Sequence, residues 1–369
     1  MEIINQNHEL HAIWNKVRTG SRLTFEDGIT LMNSKDLLAI GYMANYVREK
    51  KHGDKAYFIV NRHINHTNIC VTRCKLCAFG VDKDHPTAYT MNLDEIIEQA
   101  KQSIPANITE LHIVGGLNPE LPLEYYEEML KRLAEILPDV HMQAFTAVEI
   151  DYYAKENNLS VKDILNRLKK VGLGSLPGGG AEIFSQRVRK KICPEKISGD
   201  RWLYVHKCAH ELGMRTNATM LYGHIETIEE RVDHLIQLRE LQDQLGGFLT
   251  FIPLAFHPKN TELSDEQMGL GRTTGIEDIR MLAVSRLMLD NFDHIKAYWV
   301  MIGPKLAQVS LRFGVDDIDG TIIEEKITHA AGGESEQALS RAGIVKLIKE
   351  AGRQPIERDT LYNTVKEEF

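Results

Sequence analysis

The rhythm of apolar positions changes at about residue 57. Before that point Leu37, Leu38, Ile40, Met43, Ala44 and Val47 recur at helical spacing, so residues 1–56 predict a polar-faced helical extension. Beyond it, short apolar runs alternate with longer helical periods. The runs predict strands at 57–66, 110–114, 141–145, 172–175, 215–222, 248–252, 295–299 and 315–318. Helices are expected near 94–104, 123–136, 150–170, 199–212, 227–245, 275–291 and 303–312. Strands separated by helices pair in parallel, because a crossover must bring the chain back to the same end of the sheet. Eight such units match a closed (β/α)8 barrel of TIM type better than an open doubly wound sheet. The expected organisation is therefore a helical extension, 1–56, and one α/β barrel, 57–369, closing with a helical segment.

Composition narrows the class of protein. The 369 residues are 43% hydrophobic and 26% charged, an ordinary globular mixture. The formal net charge of −8 argues against a nucleic-acid or anionic-membrane partner. No apolar run approaches the roughly 20 residues of a membrane span. The start, MEIINQNHELHAIWNK, lacks the basic and apolar regions of a secretion signal. Five cysteines, three of them crowded together, do not form a disulfide framework, so a reducing cytoplasm is expected.

Those three, Cys70, Cys74 and Cys77, are spaced C-x3-C-x2-C with no fourth cysteine nearby. A 4Fe–4S cluster normally takes four thiolates, and a structural zinc wants closed four-coordination. Three ligands point first to a cluster with one open iron, leaving zinc or no metal as alternatives. Barrel chemistry sits at the C-terminal ends of the strands. The cysteine loop, Gly115–Gly116, Pro177–Glu182, Tyr222–Glu226 and His257 all follow strands, and so are expected on one face. Gly115 and Gly116 remove side chains where backbone could approach a ligand. Gly178–Gly180 leave bare backbone before Glu182, an acidic residue able to accept from ribose hydroxyls; the G-x-G-x-x-G pattern itself fails at Pro177. Arg187 and Arg189 are candidates for a carboxylate fork, though helix surface is the commoner setting. His206 and His210 have metal-ligand spacing, but the lack of an H-E-x-x-H glutamate favours surface histidines. Cys193 and Cys208 read as small, partly buried residues. His112, Gln143, Thr146, Glu149, His257 and Asp317 lie at or near strand ends, where alternation gives each an even chance of facing inward.

The segments NRHINHTNICVTRCKLCAF, LHIVGGLNPELPLEYY, HMQAFTAVEI, GSLPGGGAEIF, TMLYGHIET and FIPLAFHPKNT together resemble the aminofutalosine synthase family of the radical S-adenosylmethionine superfamily. The resemblance runs from about residue 57 to the end. IVGG, where related cyclases and deazaflavin-precursor synthases tend to carry QGG, and AFTAVEI, where they tend to carry a Ser-Pro-Pro-like segment, separate this family from its neighbours. Leu76 departs from the aromatic that usually precedes the third cysteine, and His66 from a frequent tyrosine.

The resemblance implies a radical S-adenosylmethionine barrel whose 4Fe–4S cluster is held by Cys70, Cys74 and Cys77, with S-adenosylmethionine on the open iron. It implies that Gly115 and Gly116 face the methionine amino group, Glu182 the ribose, Arg187 the carboxylate and Phe79 the adenine. The implied reaction adds a 5′-deoxyadenosyl radical to 3-[(1-carboxyvinyl)oxy]benzoate. Aryl migration and loss of a carboxylate then give 6-amino-6-deoxyfutalosine for menaquinone biosynthesis, so S-adenosylmethionine is consumed as a co-substrate. A low-potential donor of flavodoxin or ferredoxin type is the implied partner. Two substrate carboxylates need donors, and His112, Gln143, His257 and Arg312 are the candidates. Competing expectations are a dehypoxanthine futalosine cyclase, an iron–sulfur electron carrier, and a zinc-stapled protein with His66 as fourth ligand.

Overall fold

The computed structural model describes residues 8–263, 272–333, 335 and 338–369. Seven parallel strands curl into one sheet: β2 (Asn61–Ile64), β3 (Glu110–Ile113), β4 (His141–Ala144), β5 (Ser175–Leu176), β6 (Arg215–Tyr222), β7 (Phe248–Ala255) and β8 (His294–Ile295). They pair in chain order, with helices crossing outside between strands. A second sheet, ordered β11-β10-β1-β9, combines β1 (Lys55–Ile59), β9 (Asp317–Gly320), β10 (Gln354–Arg358) and β11 (Thr364–Lys366). The segment around β9 joins the free edges of the large sheet. Lys296 bridges Asp317 on one side, and Arg62 bridges Ile323 on the other. The eight-unit barrel thus closes through a shared element, and its last strand also belongs to the smaller sheet.

The expected strand 57–66 is two strands, because the chain changes partners between Ile59 and Asn61. β5 keeps only Ser175–Leu176 of 172–175 and its onward residue. The expected strand 295–299 ends early, since a helix begins at Trp299. The helix foreseen over 150–170 is broken by Asn158 at φ 51° and restarts behind the Ser160 cap. β10 and β11 had no counterpart among the expected strands.

The helices His8–Thr19, Phe25–Asn33 and Leu37–His52 form the described part of the expected extension; residues 1–7 of it lie outside the described residues. Ile40, Met43 and Ala44 of the predicted stripe are fully buried, whereas Leu38 faces outward at 69% exposure. The helix Leu37–His52 packs on the helix Gly275–Met288. Arg48, buried at its end, donates to the carbonyls of Gly53, Lys55 and Val315, tying the extension to the barrel. Among the described residues, no helix is long and apolar enough to cross a membrane.

Candidate active site

The loop from Asn65 to Met91 leaves the C-terminal end of β2 and folds back on itself. Thr67 bridges Thr90, Ile69 bridges Val81, and the Cys70 N–H donates to the Val81 carbonyl at 3.0 Å. Its outer turn is pinned from two sides. Lys75 N–H donates to the Ile192 carbonyl at 2.8 Å, and Arg73 N–H to Glu195 at 2.9 Å. All three cysteines of the loop line one cavity inside the mouth of the barrel. The Gly80 N–H points at Cys77 Sγ, 3.3 Å away.

The glycine pair after β3 is shaped by that loop. A Cβ on Gly116 would stand 2.2 Å from the Ile69 carbonyl oxygen, and one on Gly115 would stand 2.5 Å from the His66 ring. Both glycines therefore allow the chain to lie against itself. Their N–H groups are committed, Gly115 to Glu149 at 3.1 Å and Gly116 to the Thr67 carbonyl at 2.9 Å. The Gly116 carbonyl accepts from the Asn118 N–H at 3.1 Å, so what this edge offers a ligand donor such as an amine is the Gly115 carbonyl and the second lone pair of Gly116.

Glu149 was among the undecided strand-end residues and lies inside the cavity. It closes a capping box with Thr146 at the start of the helix Ala147–Glu156 while accepting from Gly115. Burial pushes its carboxyl up to about 7, against the donors that hold it.

Across the mouth, Gly178–Gly180 pack against Asn217, Thr146 and Val148, and Glu182 sits at φ 49° with its side chain buried. The Lys196 ammonium binds it at 2.7 Å. Burial opposes charge on both groups, yet Lys196 and Arg189 hold Glu182 below the usual carboxylate range. Cys74, Glu182 and Cys193 likewise hold Lys196 well above the usual lysine range. Arg189 is neither ligand fork nor solvated surface; it is buried and donates to the carbonyls of Ala181, Ile183 and Ile197, bracing this segment.

Deeper in the barrel the lining becomes polar. His63 and His112 stack at 4.4 Å between centroids, Asn217 donates to Gln143 at 3.3 Å, and Lys296 faces Asp319 at 3.4 Å. Phe79 and His257 also line the cavity.

Several expected contacts lie elsewhere. Arg187 is on the outer surface, forked onto Glu230 at 2.6 Å and 2.8 Å. It lies on the exposed face of the helix Gln186–Ile192, whose other face buries Val188, Arg189 and Ile192, so its guanidinium does not line the cavity. Arg312 is also outside, donating to the Ala351 and Gly352 carbonyls and fixing the C-terminal helix. Asp317 is buried in an ion pair with Arg358 at 2.6 Å. His206 and His210, expected at the surface, are buried and share the Thr216 hydroxyl at 2.8 Å and 2.9 Å. Burial pushes the His210 ring down to about 4. Cys193 and Cys208 are buried.

Lys196 and Lys296 escaped the sequence reading, since a lone lysine outside any motif carries no signal. Their only mark is position, Lys196 four residues after the helix Gln186–Ile192 that follows the Glu182 segment and Lys296 just past β8.

The donor set fits an iron–sulfur group better than zinc. Three sulfurs line the cavity, and His66, the histidine considered as a fourth zinc ligand, is packed behind Gly115. Among the described residues, the ligand atoms drawn within 4.8 Å of one another are those of His52, His294 and Asp316, not the cysteines. A tetrahedral zinc at about 2.3 Å from each thiolate would pull its sulfurs to within about 4 Å.

A curled parallel barrel with three thiols, a glycine edge and a buried polar interior at its C-terminal mouth defines a radical S-adenosylmethionine enzyme. Family models agree: the radical SAM superfamily matches residues 64–238, and the CofH/MqnC C-terminal region matches residues 245–368. The chain is 48% identical to the aminodeoxyfutalosine synthase of Thermus thermophilus, covering 97% of this chain and 96% of that one. It is 45% identical to the Streptomyces coelicolor enzyme of the same name, over 95% and 93%. The 5-amino-6-(D-ribitylamino)uracil–L-tyrosine 4-hydroxyphenyl transferase of Methanopyrus kandleri is 41% identical over 88% of each chain. By fold, methylornithine synthase superposes with a TM-score of 0.72 at 18% identity, covering 93% of this chain and 97% of that one. The chain belongs to the aminodeoxyfutalosine synthase family.

Proposed function

We propose that this protein joins the adenosyl group of S-adenosylmethionine to 3-[(1-carboxyvinyl)oxy]benzoate. Loss of one carboxylate then gives 6-amino-6-deoxyfutalosine for menaquinone biosynthesis in the cytoplasm. The observation that carries the reading is a single cavity of about 320 Å³ with three thiols at its mouth and a buried polar floor beneath them. Cys70, Cys74 and Cys77 would hold a 4Fe–4S cluster. Bound there, cluster and S-adenosylmethionine supply a 5′-deoxyadenosyl radical on receipt of an electron from a flavodoxin or ferredoxin type donor.

The residues of the chain do the rest. Carbonyl oxygens of the Gly115–Gly116 edge would accept from the methionine amino group. Glu182, held in place by Lys196, would accept from the ribose. Phe79 offers an apolar face beside the cysteine loop. His112, Gln143 and His257 remain candidates for the substrate, whereas Arg187 and Arg312 are withdrawn from ligand binding. A vinyl carbon must lie in near-attack contact with the adenosyl carbon. The walls must also exclude water and stray hydrogen donors, which the apolar Leu221, Ile252 and Leu254 provide. The helices from His8 to His52 form an extension of the barrel body.

The 41% identity to the hydroxyphenyl transferase gives a second reading, in which tyrosine is the aromatic partner. Anaerobically reconstituted protein, reduced with dithionite and given S-adenosylmethionine with each aromatic compound, separates the two by mass spectrometry. An adenosylated adduct lacking one carboxylate is expected from the enol-ether benzoate. Free 5′-deoxyadenosine without adduct would refute the synthase reading.

A further inference from the structure

Two ammonium groups line the cavity, and they serve opposite ends of it. Lys196 stands at the mouth, paired with Glu182 at 2.7 Å and close enough to Cys74 to feel its charge. Lys296 lies on the floor, where its charge acts on His63, His112 and Glu110. Among the described residues, no arginine lines the cavity. Lys296 is 6% exposed, and its partner Asp319 sits at 3.4 Å, longer than a good charge-assisted hydrogen bond. Asp319 holds an unusual backbone conformation for a residue with a side chain, φ 65°, in the segment that closes the barrel. Its carboxyl also faces three other charged groups, Asp317, Arg358 and Glu110. Burial, helped by Asp317 and Glu110 and opposed by Lys296 and Arg358, raises it above the usual range.

We propose that Lys296 is the seat of the aryl carboxylate of the substrate, and that Asp319 occupies this seat as a placeholder until the substrate arrives. The inference rests on the enol-ether benzoate reading. In that substrate the vinyl group must lie toward the mouth, where the adenosyl group is generated. The ring carboxylate then points the other way, down toward the floor. A buried carboxylate needs a cation or several donors to offset its desolvation, and Lys296 is the one floor ammonium among the lining residues. The stacked His63–His112 pair and Gln143, at the same level of β2, β3 and β4, supply neutral donors around it. Substrate binding therefore exchanges one carboxylate for another on the same ammonium, with Asp319 turned aside.

This exchange gives the two variants opposite signs. Lys296→Met removes the seat, and Asp319→Asn removes the competitor. A purely structural ion pair would make both changes harmful to binding. The test measures equilibrium binding by calorimetry to cluster-loaded, oxidised protein with S-adenosylmethionine, where no turnover occurs. The probes are the enol-ether benzoate, its benzoate methyl ester, and plain benzoate. Iron content and S-adenosylmethionine binding of each variant confirm that the mouth is intact.

The expected result is that Lys296→Met weakens the acid on the order of tenfold to a hundredfold and leaves the ester within about twofold. Asp319→Asn is expected to tighten the acid, and Lys296→Arg to recover part of its binding. Equal loss in Lys296→Met and Asp319→Asn, or unchanged acid binding in Lys296→Met, overturns the proposal. If wild-type protein binds benzoate in a Lys296-dependent way but not the enol-ether benzoate, the carboxylate seat stands and the named substrate falls. If it binds no carboxylate, both fall.

Discussion

A methyl group on Gly116 would have to displace backbone, because the nearest atom is the Ile69 carbonyl oxygen at 2.2 Å. Gly116→Ala is therefore expected to cost about 1–3 kcal/mol and to loosen the cysteine loop behind Cys70. Thermal unfolding and iron retention after reconstitution would check this; a variant with wild-type melting and full iron would contradict it. Glu149 makes a second prediction at the same scale. Its carboxylate accepts from both Gly115 and Thr146, and an amide cannot accept twice in that geometry without turning a donor onto one N–H. Glu149→Gln should weaken S-adenosylmethionine binding while leaving iron content unchanged, read by calorimetry on loaded protein.

Single residues also mark the limit of sequence reading. The three cysteines and the glycine pair announce themselves by spacing. Lys196 and Lys296 do not, because a lysine's role depends on which way its strand or loop faces. Arg187 looked eligible beside Glu182, yet one turn of its helix carries it to the surface and Glu230.

Elements hold these residues in place through their ends. The turn after β6 is fixed by Glu226, which accepts from the Gly223 and His224 N–H groups and binds Arg231 at 2.7 Å. Burial opposes its charge, but His224, Arg231 and the Gly223 N–H outweigh that and hold the carboxyl at about 2. A depressed carboxyl stabilises the fold above its unfolded pKa, and the benefit fades as pH falls toward the folded value. Between pH 7 and pH 3, wild-type protein should lose about 2 kcal/mol more stability than Glu226→Gln. Urea unfolding at the two pH values measures the difference, and equal losses would contradict the assignment.

The long helices were legible because each buries one consistent face, and β3, β4, β6 and β7 because they are short runs buried at nearly every position between helical stretches. β5 and β8 were misjudged in extent because two-residue strands leave almost no alternation to read. β10 was missed because its long-range partner is β1, about 300 residues earlier, and β11 because it is a three-residue, fully exposed strand paired only with β10.

At the scale of the whole molecule, closure by the β9 segment is what makes the interior a reaction vessel. It joins β8 to β2 and carries Asp319 into the cavity. The eight-unit barrel and the gathering of loops at one mouth could be read in advance because strand–helix alternation fixes which ends share a face. The double membership of the last strand could not, since it depends on pairing with residues more than 250 positions away. Replacing any one of Cys70, Cys74 or Cys77 by alanine should remove the capacity for a full four-iron cluster. Iron and sulfide counts with low-temperature electron paramagnetic resonance of the reduced protein would check it.

The central claim is that the adenosyl carbon becomes bonded to the aromatic substrate. Its most direct test is S-adenosylmethionine labelled with carbon-13 at C5′, turned over with the enol-ether benzoate and followed by NMR. The account predicts that the label appears in a new carbon–carbon bond, with one methionine released per adduct. Label recovered wholly in 5′-deoxyadenosine would contradict it.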